Sequence, residues 1–221
     1  MTFLARLLAA ALLLPPPYYS PGHEPETAPE RAARIEIIVS SAISQAEATE
    51  GWPGAKEELA TAILAVTWYE SRRWALEVHE GRVRGDKGAS ICLAQIWSHD
   101  HALVGTSREA TDRCFRRAAD ILVLHAKRCG LRRIDRWEMA RLLGAYGTGR
   151  TCHSMPWARK RAGLWATLTK ASASPSSEML TAHRDDAPPG EGLYGTDPQG
   201  AVTFPRRAPG VKAPAAAMGA P

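Results

Sequence analysis

Apolar residues recur at helical spacing in five stretches between residues 31 and 170, and the recurrence fails in one place, residues 81–96. A chain patterned this way packs helix on helix around one core. Ile35, Ile38, Ala42, Ile43 and Ala46 share a face over residues 31–50. Leu59, Ile63, Val66 and Tyr69 share one over residues 56–73, after the turn cluster Gly51-Trp52-Pro53-Gly54. Cys114, Ala118, Ile121, Leu122 and His125 line a helix that starts at Thr106 or Ser107 and stops at Gly130. Two more helices are predicted over residues 135–145 and 156–170. Glycines at 81, 85 and 88, where the period is lost, predict a turn or short hairpin. The expected fold is therefore mostly α, with a small hairpin or irregular insertion.

The 221 residues suffice for one ordinary domain with tails. Residues 1–14 carry Arg6 ahead of an apolar run from Leu7 to Leu14, which has the form of a signal peptide or hydrophobic leader and is too short to span a membrane. Residues 15–30, rich in Pro, Glu and Gly, read as a linker, and residues 31–170 as the domain. Residues 171–221, dominated by Ser, Pro, Ala and Gly, are expected to be a disordered tail. The reading is of an exported monomer with no transmembrane span, and no internal repeat is visible.

Net charge is +5, with basic clusters at Arg72-Arg73, Arg116-Arg117, Arg132-Arg133 and Arg159-Lys160-Arg161. Such a chain is drawn to polyanions. No groove-reading or zinc-finger pattern is present, so nucleic acid is not the expected partner. Four cysteines, Cys92, Cys114, Cys129 and Cys152, fit two disulfides in an oxidising compartment. No metal site is expected, because no C-x2-C spacing accompanies His99-Asp100-His101 or Cys152-His153. On one continuous helix, Cys114 and Cys129 stand about 22 Å apart, whereas a disulfide needs Cα atoms within about 7 Å. Two connectivities survive. A following helix that doubles back favours Cys114 with Cys152, leaving Cys92 with Cys129.

The residues that carry chemistry lie in three segments. Glu70-Ser71 ends an apolar helix beside Trp68, Tyr69 and Trp74. Gly85-Asp86-Lys87-Gly88-Ala89-Ser90-Ile91-Cys92-Leu93-Ala94-Gln95 comes second, then Ala145-Tyr146-Gly147-Thr148-Gly149. An acid walled by apolar side chains, Leu93 included, holds its proton to higher pH, as cleavage of a sugar linkage requires. A conventional glycosidase adds a second carboxylate. Asp86 is the local candidate, with Glu77 and Glu80 behind it. No phosphate loop, dinucleotide fingerprint or serine-nucleophile elbow is present.

In order and context, these segments resemble the lytic transglycosylases of the lysozyme-like superfamily, over roughly residues 59–168. The resemblance implies a cofactor-free enzyme acting on peptidoglycan glycan strands. Glu70 would protonate the linkage between N-acetylmuramic acid and N-acetylglucosamine, then take a proton from the muramic C6 hydroxyl to close a 1,6-anhydro ring. Ser71, Ser90, Gln95 and Tyr146 would bind or orient substrate. Two positions depart from the pattern: Cys92 stands at a usual glycine, and Gly147 at a usual asparagine. The alternatives are a hydrolytic muramidase using Asp86, or a catalytically silent wall-binding or virion-associated module.

Overall fold

The computed structural model describes residues 1–17 and 25–173 in full, and the backbone of residues 195–196 and 202–203. Seven helices dominate the described residues: α1 (Phe3–Leu12), α2 (Ala28–Ala48), α3 (Lys56–Glu70), α4 (Leu76–His79), α5 (Arg108–Arg128), α6 (Arg136–Thr148) and α7 (Pro156–Ala173). The fold is mostly α, as the sequence predicts. The one interruption is a hairpin where the helical period is lost: β1 (Ser90–Ile91) runs antiparallel to β2 (Ile96–Trp97), with Ser90 opposite Trp97 and Ile91 opposite Ile96.

Contacts divide the chain into two units, Met1–Pro188 and Pro189–Pro221. In the second, β3 (Gly195–Thr196) pairs antiparallel with β4 (Val202–Thr203). The expected disordered tail over 171–221 begins inside α7, and otherwise lies outside the described residues apart from that strand pair. Residues 18–24 of the expected linker lie outside them too.

In the first unit, α3 is the central helix. Every residue from Leu59 to Trp68 is buried, and a helix that is apolar all round belongs inside a protein. It packs against α2, α5 and α7. The start of α2 is set by a capping box. Glu30 N–H donates to Thr27 Oγ1 (3.4 Å) and Thr27 N–H donates to the Glu30 carboxylate (2.9 Å), with a proline in the first turn. The helix therefore begins three residues before the periodicity alone places it. Ser107 caps α5, and Asp135 caps α6 by accepting from the N–H groups of Trp137 and Glu138, both at 2.9 Å.

The stretch expected to be a leader is packed into this unit. Leu7, Ala10, Ala11 and Leu14 of the N-terminal segment are buried where α1 lies on α2 and α7. No helix among the described residues is long and apolar enough to cross a membrane.

The disulfides join Cys92 to Cys114 and Cys129 to Cys152, with Cα separations of 6.3 Å and 5.6 Å. The favoured pairing is overturned. The error lies in the segment after α6. Instead of continuing toward the start of α5, it folds back along α6, so the His153 carbonyl lies where a side chain on Gly144 would stand. Arg141 fastens it by donating to the carbonyls of Cys152 (3.3 Å) and Cys129 (3.5 Å). Cys152 is thus delivered to the C-terminal end of α5, while the hairpin brings Cys92 near its N-terminal end.

Beneath the hairpin lies His79, 2 % exposed. Thr111 Oγ1 donates its single proton to the Ser107 carbonyl (2.9 Å), so it accepts from His79 Nε2–H (2.9 Å). Nδ1 then carries a lone pair with no partner. The space beside the ring, lined by Cys92, Leu93, Leu103, Thr111, Cys114 and Phe115, has no room for a water molecule. Burial, and secondarily the charge of Arg34, lower the His79 pKa from 6.5 to about 3.

Candidate active site

Glu70 is the last residue of α3. The backbone immediately beyond it is unusual. Arg72, Arg73 and Trp74 all have left-handed φ (55°, 66° and 56°). Among the described residues, every non-glycine with positive φ falls between Arg72 and Gln95, the others being Asp86, Lys87, Cys92 and Gln95. Each such residue costs roughly 1–2 kcal/mol. Strain gathered in one segment and held by its surroundings is a mark of functional sites.

Cys92, at φ 57°, occupies a conformation that favours glycine, and its disulfide to Cys114 holds it there. That is the physical meaning of cysteine at this position.

The second and third segments singled out in the sequence meet, and the first lies within electrostatic reach of them. Tyr146, near the end of α6, donates its hydroxyl proton to the Ala94 carbonyl (3.0 Å), next to Gln95. Burial of that hydroxyl, and then the negative charge of Glu70, push Tyr146 ionisation well above its ordinary range, while the charge of Arg161 acts the other way. Glu70, the hairpin turn and Tyr146 therefore share one neighbourhood.

The surroundings of Glu70 correct the expectation of a purely apolar wall. Trp68 meets Tyr69 edge to face at 4.8 Å, but Trp74 is turned into the core, its Nε1–H donating to Thr67 Oγ1 (3.0 Å), and Leu93 is buried as well. The direct partner of the carboxylate is a cation. Arg161 of α7 donates from Nη1 to Glu70 Oε1, the two side chains being 11 % and 14 % exposed. The Arg161 guanidinium lies 4.6 Å from the centre of the Trp157 ring and 5.8 Å from that of Tyr69.

The other expected residues make contacts within the fold. Ser71 is fully buried. Its hydroxyl donates to the Thr67 carbonyl (2.5 Å) and accepts from Trp74 N–H (2.9 Å), so it caps α3 and props the left-handed turn instead of meeting a ligand. Ser90 is buried too, and donates to Asp86 Oδ2 (2.5 Å). Gln95 is half-buried and turns its amide back to the Cys92 carbonyl (3.0 Å), bracing its own turn.

Asp86 is exposed at the head of a short 3-10 turn and is tied to Ser90. Glu77 is buried on α4, and Glu80 pairs with Arg82 at the surface. Among the described residues, no group of three or more His, Cys, Asp or Glu is placed to hold a metal ion.

Arg161 and Trp157 are site residues that sequence reading missed. In the sequence Arg161 is one of the basic cluster Arg159-Lys160-Arg161. The available signal was the four-residue spacing of Trp157 and Arg161, which puts both on one helix face, together with the missing side chain at Gly147. No family model, no curated protein and no solved structure matches this chain.

Proposed function

We propose that the protein cleaves the glycosidic bond between N-acetylmuramic acid and N-acetylglucosamine in peptidoglycan by the non-hydrolytic route. The observation that supports this reading is Tyr146, which bonds to the Ala94 carbonyl of the hairpin turn and whose ionisation is opposed by the nearby charge of Glu70. The strained backbone that follows Glu70, from Arg72 to the hairpin turn at Gln95, adds support.

In the proposed reaction Glu70 donates a proton to the glycosidic oxygen as the C1–O bond breaks. The substrate's own acetamido group stabilises the cationic carbon. Glu70 then takes the proton from the C6 hydroxyl as the C1–O6 bond forms, so no water is consumed and the acid is regenerated. Tyr146 fixes the Ala94 carbonyl and, through it, the turn that carries Gln95.

Digestion of purified sacculi by wild type and Glu70→Gln, with product masses read out, tests the proposal. Loss of the general acid lowers release by about 10²–10⁴-fold. Products ending in anhydro sugars lie one water below the reducing-end products of a muramidase. Full activity in Glu70→Gln removes the reading. A second reading, a silent wall-binding module, is favoured by the engagement of Glu70 Oε1 with Arg161. Sacculus pull-down without fragment release supports it.

A further inference from the structure

The link between Glu70 and Arg161 has a foundation two helices away. At Gly147 of α6, an added Cβ would overlap the six-membered ring of Trp157. The indole therefore lies directly against the α6 backbone, in room that only a glycine leaves. One helical turn further along α7, Arg161 rises on the same side. Its guanidinium lies over the Trp157 ring on one side and within reach of the Tyr69 ring on another. Its Nη1–H meets Glu70 Oε1. A planar guanidinium held by rings keeps a fixed direction, which a lysine ammonium does not match.

We propose that Arg161 is the positioning residue for the Glu70 carboxyl, seated by Trp157 in the space left by Gly147. This rests on the reading of Glu70 as the proton donor. By holding Oε1, Arg161 sets the rotation of the carboxyl and leaves Oε2 for the glycosidic oxygen. The group facing Glu70 from α6 is the Tyr146 phenol, neutral and bonded to Ala94. Arg161 is thus a cation bonded directly to Glu70, and Gly147 is a requirement of its seat.

The test uses the full chain on soluble, uncrosslinked glycan strands, with Arg161→Gln, Arg161→Lys and Gly147→Ala, and a stability cycle that needs no activity. Arg161→Gln is expected to lower kcat about 10–100-fold with KM held within about twofold. Arg161→Lys restores part of kcat, and Gly147→Ala, which displaces Trp157, lowers kcat in the same direction. In the cycle, Glu70→Gln with Arg161→Gln lowers Tm by less than the two single changes summed, because each single change breaks the same pair.

Additive Tm changes overturn the proposal, and so does wild-type kcat in a folded Arg161→Gln protein. Non-additive Tm changes in a protein that releases no fragments keep the Glu70–Arg161 pair and overturn the cleavage reading instead.

Discussion

Acidification should weaken this fold through one buried imidazole. In the unfolded chain His79 takes up a proton near pH 6.5, while in the folded chain it resists until about pH 3. Its folded pKa is depressed, so folding is fully favoured above pH 6.5. Stability is lost as pH falls below that point, and the loss levels off near pH 3. Between pH 7.5 and pH 5 the expected loss from this residue is about 2 kcal/mol, from 1.36 kcal/mol per pH unit over the interval below pH 6.5. The figure holds for any folded value well below 5.

The cause is geometric. Nε2 already donates to Thr111, and a proton on Nδ1 would find neither a partner nor room for water. Urea unfolding at pH 7.5 and pH 5, on wild type and His79→Gln, measures the effect. Other titrating groups contribute to both proteins and cancel in the difference. The glutamine variant should lose about 2 kcal/mol less than wild type over that interval. Equal losses in the two proteins would refute the argument.

Three further outcomes are expected. Ser71→Ala leaves the Trp74 N–H without its acceptor inside the core and should cost about 1–3 kcal/mol; an unchanged Tm counts against Ser71 as the prop of the left-handed turn. Leu7→Ala, at a fully buried position of α1, should cost about 2–5 kcal/mol if the N-terminal helix stays packed on α2 and α7. A Tm equal to wild type would mean that the folded protein does without α1. Replacing both Cys129 and Cys152 by serine removes a bridge spanning 23 positions and should cost about 3 kcal/mol. Peptide mapping of the oxidised wild type checks the pairing directly, and a fragment linking Cys114 to Cys152 would contradict it.

Much of the frame is legible in the residue pattern, because each peripheral helix buries one face. Ile35, Ile38 and Ala42 on α2, and Cys114, Ala118 and Leu122 on α5, all stand at buried positions. The hairpin is legible as a loss of period. What the pattern conceals has physical reasons. Arg72, Arg73 and Trp74 adopt left-handed backbone with no glycine to signal it, because Ser71 and the core hold them there. The cysteine pairing turned on the path of the chain after Gly149, which depends on a carbonyl packing against Gly144. Glu70 was identifiable from its neighbours in sequence, but its partner Arg161 lies 91 positions away. The packing of α3 on α7 brings the two together, and the crossing of α6 and α7 at Gly147 and Trp157 seats the arginine.

The two bridges also bear on how the chain oxidises. The loop closed by Cys92 and Cys114 ends before the one closed by Cys129 and Cys152 begins. Joined in this order, each thiol finds its mate as the next cysteine to emerge when synthesis proceeds from the N-terminus. The native pattern can thus be completed by successive nearest-neighbour oxidations, with no swapped intermediate to be undone.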